Sequence, residues 1–420
     1  MGGVAHHNRL LALRSMLYVL VNVFPSALGL LILPIVTRVV MPGEYGLFSI
    51  YSSIITGVLV CLEFSLILRK AYVNDPEGDA LSETLIACLI IYAAVLAMLL
   101  VPAILVWDWL TPHHYITRPW LVLAMGTAFV QALLTLAFNL WQISQHAKAY
   151  CQFKMLFTLS YTIIMLFATF ALHFGWRGMS MSLTLASIVT VGCAALPVMR
   201  VYKLRWRFSR QRLAQVRHDV MALVPFRVAV AIFTYSGPFL VAYGTDPHQS
   251  GLYMFAYQVC LVVALGYDSL LAAMLPHLVA RPGSQHAFSP EARRRNIIYY
   301  IMLVGLACVG IAVLGPLLVT WLFPANYAPS IAFISWMALA RFFHGITRLV
   351  QELYFFGSDY FRGISYISLG MSLLYVVISV VFIREYGSIG AGISMATIQG
   401  LWLASLLLYR RMAGSIKQQA

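Results

Sequence analysis

The chain has 420 residues, 61% of them hydrophobic and only 10% charged, with a formal net charge of +14. A water-soluble globular chain is about 45–50% apolar and about 25% charged, so this composition excludes one: lipid must be the main solvent. The positive charge needs no nucleic-acid partner, because Lys and Arg held back at the cytoplasmic ends of membrane helices are its ordinary source.

A helix that crosses about 30 Å of hydrocarbon needs about 20 apolar residues. Twelve such runs follow one another, at 14–36, 47–67, 84–106, 120–141, 153–173, 179–199, 220–243, 250–275, 297–322, 328–350, 361–383 and 387–409. None has the two-residue alternation of a membrane barrel, so the fold class is an all-α polytopic membrane protein. The first run carries Arg14 and Pro25, and Arg38 follows it. The second holds Glu63. The acidic stretch NDPEGDALSE at 74–83 lacks the spacing of a calcium loop and reads as a solvated turn. The basic stretch RVYKLRWRFSRQRLAQVRHD at 200–219 is the one sizeable linker. The seventh run carries Arg227, Pro225 and Pro238, and the eighth carries Asp268. The tenth carries Arg341, His344 and Arg348, with Glu352 just beyond it.

Twelve spans put both termini on one side. Nineteen of the 28 Lys and Arg residues fall on that side, against four (Arg38, Arg118, Arg177, Arg384) on the other, and five (Arg14, Lys154, Arg227, Arg341, Arg348) lie in or at the ends of spans. The bias predicts that both termini are cytoplasmic. Of the six cysteines, Cys61, Cys88, Cys193, Cys260 and Cys308 fall in spans and Cys151 in a cytoplasmic loop, none with CxxC spacing; neither disulfides nor a zinc site is expected.

The two halves match internally. Gly46-Leu47 opens the second run 17 residues before Glu63, and Gly251-Leu252 opens the eighth 17 residues before Asp268. Arg14 precedes Pro25 by 11, as Arg227 precedes Pro238. The sixth run opens FGWRGMSMSL and the twelfth YGSIGAGISM, and Gln131 stands 210 residues before Arg341. The expected organisation is a six-helix bundle at 1–199, the linker at 200–219 and a second six-helix bundle at 220–420. Six helices per half makes the repeat parallel, an arrangement used by secondary transporters that alternate access by rocking one half on the other.

A charge at the centre of a membrane helix costs about 2.5–3.5 kcal/mol on insertion scales, so it generally faces a cavity or a partner. Arg341 lies deepest, and His344, Arg348 and Glu352 follow at +3, +7 and +11, the spacing of one helix face. A mostly cationic stripe suits an anion, since the guanidinium fork matches phosphate oxygens; pairing of Arg348 with Glu352 is the alternative. Arg14 and Arg227, near the inner ends of their helices, either snorkel to the interface or help screen phosphate. Glu63 and Asp268 are candidates for a gate opposite those arginines, or for binding a coupling H⁺ or Na⁺. No catalytic residue, metal site or cofactor is expected.

The segment LGLLILPIVTRVVMPGEYGLFSIYSSI, 28–54, resembles the first-helix signature of the polysaccharide transporter (oligosaccharide flippase) family: Pro34 and Arg38 end one helix, and Glu44, Tyr45 and Gly46 open the next. The resemblance implies the multidrug/oligosaccharidyl-lipid/polysaccharide exporter (MOP) superfamily, with two six-helix bundles around a central cavity. It implies a flippase that moves undecaprenyl-diphosphate-linked O-antigen, capsule or exopolysaccharide units across the bacterial cytoplasmic membrane. Lipid-linked oligosaccharide and membrane lipids would be its partners, with polysaccharide polymerase and assembly proteins downstream. Two rivals follow from the same residues. A cation-coupled multidrug and toxin extrusion antiporter would rely on Glu63 and Asp268. A membrane polysaccharide polymerase would need an outer carboxylate cluster, where only Glu44, Asp108, Asp246 and Glu385 are scattered.

Overall fold

Apolar runs leave the backbone no water to bond with, so each one closes its hydrogen bonds within a helix. The computed structural model describes residues 21–62, 64–75, 79–110, 115–279, 289–354 and 361–419. Its helices are α1 (Val21–Val36), α2 (Pro42–Cys61), α3 (Ser65–Asn74), α4 (Asp79–Leu110), α5 (Arg118–Ile143), α6 (Ala147–Leu166), α7 (Gly175–Val201), α8 (Arg210–Tyr235), α9 (Gly237–Gly244), α10 (Pro247–Val279), α11 (Pro290–Leu322), α12 (Ile331–Tyr354), α13 (Phe361–Tyr386) and α14 (Ile389–Gln419). Among the described residues ten helices are long and apolar enough to cross a membrane. Leu223–Tyr235 and Gly237–Gly244, bent by 49° at their junction, make an eleventh, and α1 is the described part of the first expected run. The protein is a multi-pass membrane protein.

Three details differ from expectation. The second run continues in composition to residue 67, but its helix ends at Cys61 and Phe64 precedes a separate ten-residue helix. In α3 Ile67 and Leu68 are buried while Arg69 and Lys70 are exposed, a two-faced pattern that favours lying at an interface over crossing the hydrocarbon. The second half of the basic stretch is helical, because α8 begins at Arg210. Cys151 sits within α6 and not in a loop.

The bend between α8 and α9 falls at Ser236, directly before Gly237 and Pro238. Proline has no N–H to continue the ladder and its ring crowds the preceding turn. A second local feature is shared by the two openings that match in sequence. Gly175 (φ 55°) and Gly387 (φ 63°) both take the left-handed conformation at the turn into α7 and α14, which glycine adopts without steric cost.

The chain divides into two compact units, Met1–Val40 with Leu47–Arg227, and Met41–Gly46 with Val228–Ala420. In the first, Leu68, Tyr92 and Trp141 are fully buried, and Trp141 stacks on Phe153 at 4.7 Å. In the second, α12 is the hub: it packs on α10, α11 and α14, while α13 leans on α14. The first turn of α2 belongs to this second unit, where Gly46 meets Gly251 of α10. A Cβ at Gly46 would fall on the Pro247 carbonyl oxygen, and one at Gly251 on that of Pro42. The crossing is therefore backbone on backbone, which small residues alone permit.

Candidate functional site

The four-residue stripe on α12 is built as its spacing predicts, but its upper and lower halves differ. Arg341 is buried, with 8% of its surface exposed, and its guanidinium carbon lies 4.1 Å from the centre of the Tyr257 ring on α10. Among the described residues no carboxylate pairs with it, and its Nη2 is buried without a hydrogen-bond partner. The aromatic face supplies the local electrostatic compensation, an attraction of about 2 kcal/mol when desolvated. One turn below, Gln399 Nε2 of α14 donates to His344 Nδ1 at 3.2 Å, and the Tyr267 ring lies 6.2 Å from the imidazole.

Lower still, Arg348 is shared by two acids, Glu352 at 3.4 Å and Asp268 of α10 at 3.9 Å. The Arg348 side chain is 36% exposed and that of Asp268 55%, so solvent or headgroups screen this triad and each link contributes little. The alternative reading of Arg348, internal pairing, thus describes its geometry. Asp268 lies against α12, and its ion-pair partner is Arg348. Arg227 is half-buried on α8 and closes the first unit. Arg14 and Glu63 lie outside the described residues.

Further buried polar groups lie on the same two helices. Thr347 Oγ1 and Gln351 Nε2 on α12, and Gln399 Oε1 on α14, are buried and unpartnered, like Arg341 Nη2. Buried polar atoms are bonded in the great majority of cases, and each orphan costs about 1–3 kcal/mol. Four of them fall on the packed pair α12 and α14, a concentration of unmet hydrogen-bonding capacity around Arg341. Among the described residues no group of three His, Cys, Asp or Glu side chains could hold a metal ion.

No family model matches the chain. Over 194 residues, 46% of this chain, it is 23% identical to the EPS I polysaccharide export inner membrane protein EpsE of Ralstonia nicotianae, and the match spans 44% of that relative's length. Among solved structures it resembles an inward-facing multidrug resistance MATE family transporter of the MOP superfamily, at 13% identity over 92% of this chain and 94% of that one, with a TM-score of 0.69. It also resembles the lipid II flippase MurJ, at 13% identity over 94% and 87% of the chains and a TM-score of 0.65. A third is a MOP superfamily transporter with a binding pocket of reversed polarity from Pyrococcus furiosus, at 13% identity over 96% and 95% of the chains and a TM-score of 0.63. The fold is that of the MOP superfamily transporters.

On this MOP fold the first unit carries a cation that sequence reasoning left aside. Lys154 of α6 stands over the Phe138 ring of α5, 5.1 Å from its centre, and no carboxylate among the described residues pairs with it. In the sequence it stands at the edge of an apolar run; neither its place midway along α6 nor its aromatic partner was marked there. Elsewhere in the unit, Tyr51, Thr127 and Thr184 satisfy one another, with Thr127 and Thr184 2.7 Å apart and the tyrosine hydroxyl 3.3 and 3.2 Å from them. The MOP fold here thus holds one unit with a self-contained hydroxyl cluster and another with unmet polar groups around Arg341.

Proposed function

We propose that this protein is a flippase that carries an undecaprenyl-diphosphate-linked oligosaccharide across the bacterial cytoplasmic membrane by alternating access. The observation that carries the reading is Arg341: a buried guanidinium resting on an aromatic ring, with its Nη2 unpartnered and, among the described residues, no carboxylate paired with it. The diphosphate provides the missing anion, and the planar fork can hold two of its oxygens at once. Gln399, Thr347 and Gln351, on the same two packed helices, supply unmet donors and acceptors for sugar hydroxyls. The lipid chain stays in the bilayer, so no apolar tunnel through the protein is needed. Transport of this kind needs no covalent chemistry; a proton or Na⁺ gradient, or downstream use of the glycan, gives it direction. The likeness to the Ralstonia polysaccharide export protein and to a lipid II flippase supports the reading, and positive-inside bias supports cytoplasmic termini.

A cation-coupled drug antiporter is the second reading, favoured by the MATE likeness and by the half-exposed carboxylate of Asp268. The two part company on the charge that the region around Arg341 prefers, and a buried unpaired arginine repels organic cations. The test is the amount and leaflet of diphosphate-linked glycan lipids in cells lacking the protein, with and without it restored. Accumulation of a complete unit on the cytoplasmic leaflet, cleared by the wild type and not by Arg341→Ala, is the expected result. Unchanged glycan lipids with retention of organic cations would overturn it.

A further inference from the structure

The stretch that joins α7 to the apolar part of α8 has an unusual surface. α7 ends at Val201, and the apolar part of α8 begins at Leu223, so the residues between them lie at the membrane–water boundary. Residues 204–209 are neither helix nor strand and read Leu-Arg-Trp-Arg-Phe-Ser. Trp206 is 83% and Phe208 54% exposed, alternating with Arg205 and Arg207.

This segment is held in place. The Leu204 N–H donates to the Met199 carbonyl at 3.2 Å, the Arg205 N–H to Ser82 Oγ at 3.3 Å, and Arg207 pairs with Asp79 of α4. The two large aromatics are therefore presented outward by a fixed backbone, at the depth where Trp is enriched in membrane proteins. α3 and α8 line a groove of about 590 Å³, linked to this segment through α4, whose Ser82 bonds Arg205 and whose Thr84 lies in the groove. Its floor is apolar, with Ile67, Val216 and Leu223, and its rim is basic, with Arg69, Lys70 and Arg212. Asp219, itself in the lining, offsets Lys70 at 3.3 Å, and Glu83 approaches Arg212 at 4.0 Å, so the net positive charge of this face comes from Arg69 together with Arg205 and Arg210, all at exposed positions.

We propose that the 204–209 segment and the Arg69–Lys70–Arg212 groove form a docking site for an anionic phospholipid of the membrane in which the protein sits. The basic rim takes the headgroup phosphate, the apolar floor takes the start of an acyl chain, and Trp206 and Phe208 wedge into the adjoining headgroup layer. An acidic soluble protein would match the charge, but it would leave the two aromatics and the apolar floor to be covered from a surface that a spanning protein already turns to lipid. The inference does not depend on what is transported.

The test uses the full chain in nanodiscs of phosphatidylcholine with a minor fraction of phosphatidylglycerol, the bromine quencher being carried by one lipid or the other at equal mole fraction. The Trp206 emission is the difference between wild type and Trp206→Phe. That emission is expected to be quenched more by brominated phosphatidylglycerol, because each basic side chain near the surface favours the anionic lipid by roughly fivefold, about 1 kcal/mol. The preference should vanish in Arg69→Gln/Lys70→Gln/Arg212→Gln, and in the wild type it should shrink at high salt, where charges are screened. Equal quenching by both lipids would overturn anionic selectivity. Absence of quenching by either would overturn the membrane contact and leave the face to a soluble partner.

Discussion

The Arg341 guanidinium lies over the face of Tyr257, 4.1 Å from its centre, where an acid would ordinarily stand. A ring quadrupole attracts a cation without neutralising it. The charge is held in the bilayer interior but remains available to a ligand, whereas a carboxylate in the place of Tyr257 would have consumed it. This pairing explains how a buried arginine can be both tolerated and useful, and it motivates the first prediction.

Arg341→Lys is expected to lose most of the transport that Arg341→Ala loses. An ammonium keeps the charge but not the planar fork or its stacking. A charge-assisted hydrogen bond contributes about 1.5–3 kcal/mol, so affinity for the anionic substrate should fall roughly tenfold to a hundredfold. Flipping of a fluorescent diphosphate-linked lipid in proteoliposomes measures this. Activity of the lysine variant near wild type would show that charge alone suffices.

The Asp268–Arg348–Glu352 triad separates structure from coupling. Asp268→Asn leaves Arg348 paired with Glu352, so thermal stability in detergent should change by less than about 1 kcal/mol. Asp268→Asn with Glu352→Gln strands the cation and should cost more than the two single changes added together. Should Asp268→Asn abolish transport at unchanged stability, Asp268 handles the coupling ion; transport near wild type assigns it to the ion pair alone.

Gln399 tests the sign of the site. It is almost fully buried, with 1% of its surface exposed, and it bonds His344 at 3.2 Å. Gln399→Glu brings a carboxylate against His344 and should depress transport of an anion more than the neutral Gln399→Met does. In an exporter of organic cations the order of the two variants would reverse.

Gly46→Ala and Gly251→Ala each drive a methyl group into backbone, and overpacking of this kind costs about 1–3 kcal/mol. Both should lower the melting temperature and the yield of folded protein. Gly126 of α5 and Gly192 of α7 have nothing within 4 Å of an added Cβ. Alanine there should be neutral or stabilising by up to about 1 kcal/mol. Equal tolerance at all four positions would contradict the close crossing.

Much of this was legible from hydropathy and charge, because burying a charge in lipid is costly and composition records where it is done. The depth of Arg341, the stripe below it and the matching helix openings at Gly175 and Gly387 all have simple sequence signals. Tyr257 and Gln399 do not: one aromatic among the 56 Phe, Trp and Tyr residues of the chain carries no mark of what it will face, and the pairing is decided by packing of α10 and α14 on α12. The end of α2 at Cys61 was hidden because the apolar run continues past it, and the helical half of 200–219 because polar composition does not distinguish a helix from a loop. Trp206 and Phe208 carry no mark within the basic stretch; the fixed backbone beneath them shows that they are displayed.

The contact of Gly46 with Gly251 has a mechanical meaning apart from its tightness. Helices normally settle at preferred crossing angles because rows of side chains mesh as ridges in grooves. Where two helices meet through bare backbone there are no teeth to mesh. Such a crossing fixes the separation of the two backbones at the first turn of α2, and it leaves no room there for any side chain to act as a spacer.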